Sequence, residues 1–201
     1  MILGDKMKTI KITPRGYCHG VVGAINTITN LDLMSIEKPI YILGMLVHNK
    51  DIVSSLDLLG IQTLHDPSKT RLELLDQIDA GTVIFTAHGI SPIVYKKAQD
   101  KGLHIIDTSC NDVLKSQDVI KEFLAKNYDV LYIGKNGHPE SEAACDISPQ
   151  VHLVESKKDI DALSHLKKVA ITNQTTMSLF DVYDLSEYAK TLFDNIHVVD
   201  E

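Results

Sequence analysis

The sequence predicts an α/β fold with doubly wound, mostly parallel sheets arranged in two similar small units. Short apolar runs alternate with stretches of helical periodicity along the 201 residues. Several of these runs are apolar at consecutive positions, which is typical of parallel strands buried on both faces. Alternating strands and helices with right-handed crossovers build such sheets. The length fits one large domain or two small ones.

Each element follows from its local pattern. The strand candidates, in chain order, are TIKIT, PIYILGM, TVIFTA, LHIIDT, DVLYIG, VHLVE, KVAIT and IHVV. The helix candidates between them are VVGAINTITNL, DIVSSLDLLG, RLELLDQI, SPIVYKKAQDKG, DVLKSQDVIKEFLAKN, KKDIDALSHL and SLFDVYDLSEYAKTLF. In the fourth of these we expect Ser91 to cap a helix that starts at Pro92 and ends at Gly102.

We place the boundary between the two units near Cys110. The first unit, with the N-terminal strand, is residues 1–109, and the second is residues 110–201. No Pro/Gly-rich linker separates them, so we expect them to pack directly. The segments PIYILGMLVHN and DVLYIGKNGHPE both run strand, glycine, histidine, which is a weak internal echo.

Composition excludes several classes of function. The net charge is −7, Trp is absent and aromatic residues make up 5%, so neither a basic nor a base-stacking nucleic-acid surface is expected. No apolar run is long enough to cross a bilayer, and no secretory signal precedes the first strand. An odd number of cysteines, three, argues against a disulfide framework. These features predict a cytoplasmic protein without nucleic-acid or membrane partners.

Polar side chains follow six of the predicted strands, just where each strand ends. They are Cys18, His48, His88, Cys110, His138 with Glu140, and Thr175 with Thr176. The carboxyl ends of parallel strands form the ligand crevice of a doubly wound sheet. Taken singly, a cysteine at such a point is usually a small buried residue, and a histidine is usually a capping residue. All six at one sheet edge favour a site.

The chemistry of this set is coherent. Cysteine thiolates bind iron–sulfur clusters or zinc. Histidine and threonine side chains beside helix N-termini suit a phosphate or diphosphate. Glu140, the one carboxylate in GHPE, suits proton delivery, because a second anion would repel such a ligand. The motifs of dinucleotide-binding folds, P-loop enzymes and zinc proteases are absent.

Six segments resemble, in order, motifs of the IspH/LytB family of 4-hydroxy-3-methylbut-2-enyl diphosphate reductases. Three are similar to its first cysteine motif, its first histidine motif and its second histidine motif: PRGYCHGVVGAI, PIYILGMLVHN and TVIFTAHGIS. The others are similar to its second cysteine segment, its His-Pro-Glu motif and its Gln-Thr-Thr motif: IIDTSCNDVLK, GKNGHPESE and TNQTTMS. The resemblance covers nearly the whole chain.

The resemblance implies an oxidoreductase of non-mevalonate isoprenoid (terpenoid) biosynthesis with a [4Fe–4S] cluster held by three cysteines. Such an enzyme removes the allylic hydroxyl of its diphosphate substrate as water, using electrons from a donor such as ferredoxin or flavodoxin. Carried over to this sequence, Cys18 and Cys110 are cluster ligands, and Glu140 relays a proton. The remaining implied site residues bind the substrate: His48, His88, His138 and Thr175.

The sequence departs from the family pattern at two points. Asn111 stands where the family usually has proline, and we expect little effect. The sequence ends at IHVVDE, before the family's third cysteine, so we expect a third α/β unit to be absent and two of three cysteine ligands to be present. Cys145 falls roughly 7 Å along a predicted helix, away from the strand ends, and is not expected to replace that ligand.

Two alternatives to the reductase remain open. One is a non-catalytic remnant of the family that keeps a diphosphate pocket. The other is a zinc-binding or redox-sensing protein that uses Cys18 and Cys110.

Overall fold

Two four-stranded sheets with helices between their strands form the described part of a computed structural model, which covers residue 10 and residues 16–199. Its elements are, in order, α1 (His19–Thr29), β1 (Ile40–Leu43), α2 (Lys50–Leu58), β2 (Ile61–Leu64), α3 (Arg71–Leu75), β3 (Thr82–Phe85), α4 (Pro92–Asp100), β4 (His104–Asp107), α5 (Asn111–Ala125), β5 (Asp129–Ile133), α6 (Pro139–Cys145), β6 (Val151–Val154), α7 (Lys157–Ala162), β7 (Val169–Asn173), α8 (Leu179–Lys190) and β8 (Ile196–Val198).

The two sheets have the same topology. The first has the strand order β2-β1-β3-β4 and the second β6-β5-β7-β8, and every paired strand is parallel to its neighbour. The predicted α/β class with parallel sheets is confirmed. The two segments of the internal echo contain β1 and β5, which hold equivalent central positions in the two sheets.

Both faces of each sheet are buried, as the consecutive apolar residues predicted. In the first sheet, Ile42 and Ile84 pack on one side, while Val83 and Phe85 pack on the other. Strand β3 is therefore buried at all four positions. Helices on both faces follow from this pattern, because each apolar face must be covered.

The structure differs from the predicted strands in the first sheet. Strand β2 was not predicted, because IQTL has only two apolar residues and lies at the sheet edge, where three of its four positions are not fully buried. The predicted strand TIKIT lies outside the described residues, apart from Ile10. The other seven predicted strands are present.

Local capping explains where two helices begin. The Ser91 hydroxyl accepts from the backbone N–H of Val94, Pro92 is the first residue of α4, and Gly102 follows the helix at φ +70°. This start and end were predicted. Thr70 and Glu73 form a reciprocal capping box at the start of α3, which places Arg71 as the first residue of that short helix.

Helix α5 links the two sheets. At its start, the backbone N–H of Cys110 donates to Ala87 O at 2.9 Å, next to the end of β3. Further along, Ile120 and Phe123 pack with Tyr132 in the core of the second sheet. The helix therefore holds the carboxyl ends of both sheets near one another. Among the described residues, no helix combines the length and apolar character needed to cross a bilayer.

Candidate functional site

The three predicted histidines line one cavity of about 460 Å³ between the two sheets. His48 follows β1 and His88 follows β3, whereas His138 comes from the second sheet, after β5. Arg71 and Glu142 line the same cavity. Its size is within the usual range for small-molecule sites.

His88 and His138 face each other across the junction between the sheets. Their ring centroids are 5.6 Å apart, and the ring planes are nearly perpendicular, at 83°. The Nδ1 atom of His88 is 3.2 Å from the Thr86 hydroxyl. The Nδ1 atom of His138 accepts from the backbone N–H of Glu140 at 3.2 Å, which makes His138 the cap of α6. A neutral His138 therefore carries its proton on Nε2.

Both histidines favour the neutral form at physiological pH. Burial lowers the pKa of His88 to about 4, and the positive charge of Arg71 adds to this effect. Burial and then Arg71 also lower the pKa of His138. A neutral imidazole donates one hydrogen bond and accepts another, so the partner of Nδ1 decides which nitrogen donates.

Glu140 is buried beside this pair and is held by Thr175. Its Oε1 accepts from the Thr175 backbone N–H at 2.8 Å and from the Tyr132 hydroxyl at 3.3 Å. Its Oε2 lies 3.0 Å from the Thr175 hydroxyl, which donates to it when the carboxyl is ionised. The predicted pair Glu140 and Thr175 is therefore in direct contact, although 35 residues separate the two positions.

Gln174 holds the segment that carries Thr175 and Thr176. Its Oε1 accepts from the Lys135 backbone N–H at 3.1 Å and from the Ser141 hydroxyl at 3.2 Å. Its Nε2 donates to the Thr176 hydroxyl at 2.7 Å. One buried amide thus ties the end of β7 to the start of α6.

Cys18 and Cys110 each occupy the N-cap position of a helix, without a capping hydrogen bond from the thiol. Cys18 precedes α1 and is exposed, and Cys110 precedes α5 and is partly buried. A Cβ atom on Gly20 would lie 2.7 Å from Cys110 Sγ, so only glycine lets α1 approach this thiol so closely. Cys18 lies two positions before Gly20 in the chain. The starts of both helices therefore meet at one place.

Cys145 lies elsewhere. It is the last residue of α6 and packs against the core of the second sheet. Burial raises the pKa of its thiol to about 11, which disfavours the thiolate that metals bind. Cys145 and Cys110 pack against different core clusters, and that Cys145 does not act as a third ligand stays a prediction.

A further group of potential ligands lies beside Cys110. The ligand atoms of His19, Cys110 and Asp112 all lie within 4.8 Å of one another. His19 Nε2 is 3.0 Å from Asp112 Oδ2 and 3.6 Å from Cys110 Sγ. These residue types match the ligand preferences of zinc.

The donor set at the helix starts also fits part of an iron–sulfur site. Cysteine thiolates are the usual ligands of such clusters, and Gly20 leaves Cys110 Sγ free of a neighbouring Cβ. Within residue 10 and residues 16–199, Cys18 and Cys110 are the two cysteines that directly precede a helix, and these two helices approach each other at Gly20.

Sequence analysis missed four side chains at this site: Arg71, Thr86, Tyr132 and Glu142. Arg71 is only 7% exposed, although an arginine at the start of a short helix normally extends into solvent. Thr86 and Tyr132 were included only as parts of strands. No local signal distinguishes these residues, because β3 ends at Phe85 and Thr86 meets His88 across a turn.

Comparisons with known proteins show the family to which this chain belongs. The family model described as LytB protein matches residues 9–201. The 4-hydroxy-3-methylbut-2-enyl diphosphate reductase of Symbiobacterium thermophilum is 47% identical over 199 residues, covering 97% of this chain and 67% of the relative. The Bacillus licheniformis protein of the same name is 51% identical over 193 residues, covering 94% and 61%. The chain thus spans about two thirds of the length of these relatives.

Solved structures show the same fold. The E-1-hydroxy-2-methyl-but-2-enyl-4-diphosphate reductase from Plasmodium falciparum aligns with a TM-score of 0.80 and 30% identity, over 93% of this chain and 57% of its own. A second structure, titled (E)-4-hydroxy-3-methyl-but-2-enyl diphosphate reductase, aligns with the same TM-score at 24% identity and supports the fold. With the family match over almost every residue, the chain belongs to the LytB protein family.

Proposed function

We propose that this chain carries catalytic groups of an iron–sulfur reductase of non-mevalonate isoprenoid biosynthesis. The reaction is the reductive dehydroxylation of 4-hydroxy-3-methylbut-2-enyl diphosphate to isopentenyl and dimethylallyl diphosphate. The observation that carries the proposal is the pairing of His88 with His138 across the two sheets, 5.6 Å apart, with Glu140 directly beside His138. The names of the similar proteins support the same reaction.

Substrate binding is assigned to His48, His88 and His138. All three line the cavity between the sheets, and Arg71 contributes a buried positive charge there. Neutral imidazoles donate N–H groups to phosphoryl oxygens, while the arginine offsets the charge of a diphosphate. At this separation the two rings are in edge-to-face contact, so a small anion would bind beside the pair, in the cavity that both rings line.

Proton delivery is assigned to Glu140 and Thr175. A proton on Glu140 Oε2 can pass to Thr175 Oγ1, 3.0 Å away, while the threonine passes its own proton to the leaving hydroxyl. The balance is R–OH plus two protons and two electrons, giving R–H and water. The backbone N–H of Thr175 holds Oε1, so the carboxyl keeps one orientation toward the threonine hydroxyl.

Cys18 and Cys110 are the residues that would hold a [4Fe–4S] cluster here. When bound, such a cluster would supply the two electrons, received from a donor such as ferredoxin or flavodoxin, and bind the allylic hydroxyl. The backbone N–H of Cys110 donates to Ala87 O, and Ala87 directly precedes His88 in the chain. This link supports a cluster site close to the proposed diphosphate site.

Anaerobic reconstitution with iron and sulfide tests this proposal. We expect bound iron, a broad visible absorbance and turnover of the diphosphate substrate with a chemical reductant. Cys18→Ser and Cys110→Ser should lose the iron, and Cys145→Ser should retain it. Loss of iron in the Cys145→Ser protein alone, or turnover that persists in Cys110→Ser, would contradict the assignment. Diphosphate binding without any iron would favour the non-catalytic remnant.

A second candidate is a zinc-binding protein, which the cluster of His19, Cys110 and Asp112 favours. Cobalt(II) added anaerobically to the metal-free protein would give thiolate-to-cobalt absorption if this set binds a divalent cation. His19→Ala should then weaken cobalt binding by at least tenfold, whereas it removes no ligand of the proposed iron–sulfur site.

We further propose that residues 1–109 and 110–201 are separate structural units. The support is that β1–β4 and β5–β8 form sheets of identical order with their own cores. Limited proteolysis should cleave between β4 and the middle of α5 before it cleaves within either sheet. Early cleavage inside a sheet would argue for one cooperative unit.

A further inference from the structure

The buried guanidinium of Arg71 makes two hydrogen bonds that its proposed task of offsetting the diphosphate charge does not explain. Its Nη1 donates to the backbone carbonyl of Gly89, and its Nη2 donates to the Thr86 hydroxyl at 3.1 Å. Burial lowers its pKa to about 10, well above neutral pH, and Glu142 partly offsets this shift. Arg71 therefore stays charged beside the cavity. Burying such a group is costly, so its contacts call for a functional reason.

The hydrogen-bond partners of Thr86 determine the direction of each bond. A guanidinium only donates, so Thr86 Oγ1 accepts from Arg71. Thr86 is 0% exposed, and its hydroxyl proton must therefore find an acceptor within the protein. In the part of the chain that the structure describes, the other partner of this hydroxyl is His88 Nδ1, at 3.2 Å.

Thr86 consequently donates to His88. If His88 Nδ1 carried a proton instead, the buried Thr86 hydroxyl would have two donors pointing at it and no acceptor for its own proton. An unsatisfied buried hydroxyl costs about 1–3 kcal/mol, which is about 5- to 160-fold in the tautomer ratio. Nδ1 is thus the acceptor, and the single proton of neutral His88 sits on Nε2.

We propose that Arg71 and Thr86 are positioning residues, which act in series to hold His88 as the Nε2–H tautomer. The Nε2–H tautomer makes His88 a hydrogen-bond donor to a diphosphate oxygen, a ligand assignment that rests on the proposed function. His138 reaches the same state by a different route, since the Glu140 backbone N–H occupies its Nδ1. The facing imidazoles then form a pair of neutral N–H donors, which prefers an anion over a cation or a hydrogen-bond donor.

The tautomer can be measured directly in the ligand-free protein. Long-range proton–nitrogen correlation spectra of the nitrogen-labelled protein distinguish a protonated from an unprotonated ring nitrogen, and His88→Asn assigns the His88 signals. We expect His88 to show a protonated Nε2 and an unprotonated Nδ1. Thr86→Val, which keeps the shape but loses the hydroxyl, should convert His88 to a tautomer mixture. Thr86→Ser should restore the single tautomer.

Arg71→Met should also produce a mixture of His88 tautomers. Without the Arg71 donor, the Thr86 hydroxyl can rotate and need no longer donate to His88 Nδ1. If that variant does not fold, since Gly89 O loses its buried donor, the Thr86→Val and Thr86→Ser pair still tests the inference. A protonated Nδ1 in the unsubstituted protein overturns it. So does an unchanged His88 tautomer in Thr86→Val.

Titration with inorganic diphosphate separates this inference from the proposed function. By calorimetry at pH 7.5, Thr86→Val should bind about tenfold more weakly, and Thr86→Ser should recover most of the affinity. If the unsubstituted protein binds no diphosphate but shows the expected tautomers, the proposed function fails and the positioning role stands. If it binds diphosphate equally well with and without the Thr86 hydroxyl, the positioning role fails.

Discussion

The close approach of α1 to Cys110 gives a sharp test through Gly20→Ala. A Cβ atom at this position would lie 2.7 Å from Cys110 Sγ and 2.8 Å from Cys110 Cβ. Ordinary contact distances between such atoms are about 3.5–4.0 Å. Either the start of α1 or the cysteine side chain must therefore move by about 1 Å. Because both Cys110 atoms are crowded, rotating the thiol alone does not relieve the overlap.

The expected cost follows from this overlap. Overpacking in a filled site costs about 1–3 kcal/mol, and replacing a helical glycine with alanine returns about 0.5–1 kcal/mol. We expect Gly20→Ala to lower the free energy of unfolding by about 1–2 kcal/mol. Gly23→Ala is the matched control, since it lies in the same helix and its Cβ would have no atom within 4 Å. That variant should gain about 0.5–1 kcal/mol.

Urea unfolding followed by circular dichroism measures both variants under identical conditions. We expect them to shift the midpoint in opposite directions. The iron content after reconstitution gives a second readout, which should fall in Gly20→Ala and stay unchanged in Gly23→Ala. Equal stability of the two variants would refute the claim that glycine is needed for the contact between α1 and Cys110.

Three other outcomes are expected. Glu140→Gln keeps an oxygen that can accept from the Thr175 N–H, so its melting temperature should lie within a few degrees of that of the unsubstituted protein. Its rate of substrate turnover should fall at least about a hundredfold, because the amide cannot deliver a proton. A much lower melting temperature would show a structural role instead. The pKa of His88 in the folded chain, about 4, lies below its ordinary value of 6.5, so the unfolded chain takes up the proton first. The free energy of unfolding should therefore fall as the pH drops from about 6.5 to about 4. His88 accounts for at most about 3 kcal/mol of this loss, and His138 adds to it in the same direction. Urea midpoints measured against pH should show a shallower slope in His88→Gln than in the unsubstituted protein, and equal slopes would contradict the lowered pKa of His88. Cys145, with its pKa raised to about 11, should react with iodoacetamide at pH 8 much more slowly than exposed Cys18, as peptide mass mapping would show.

The strand positions and the edge of the sheet at which the site lies could be predicted, because both depend on short-range patterns. Consecutive apolar residues such as Val83, Ile84 and Phe85 occur in a strand when both of its faces are covered, and β3 is buried throughout. Side chains that follow such strands lie at the carboxyl edge of their own sheet whatever the packing details, whereas the packing of α5 brings the edges of the two sheets together. Strand β2 was not predicted, because an edge strand does not need a continuous apolar run.

The partners of the site residues could not be predicted in the same way. Glu140 meets Thr175 across 35 residues, and Arg71 reaches Thr86 across 15. Neither contact has a local signature, because the packing of α3 and α6 against the sheets decides it. The sequence also contains nine histidines, and their spacing alone does not show which nitrogen of a ring is protonated.

The amino-acid sequence by itself determined the class of fold, with two similar small units of parallel strands, and the set of side chains that follow the strands. These depend on alternation, apolar runs and turn residues, which act over a few positions. Only the tertiary structure decided that His88 and His138 face each other, that Cys145 packs against the core of the second sheet, and that buried Arg71 donates to Thr86, the hydrogen-bond partner of His88. Such relations arise from helix packing and from the need to satisfy every buried donor, and both act between residues far apart in the chain.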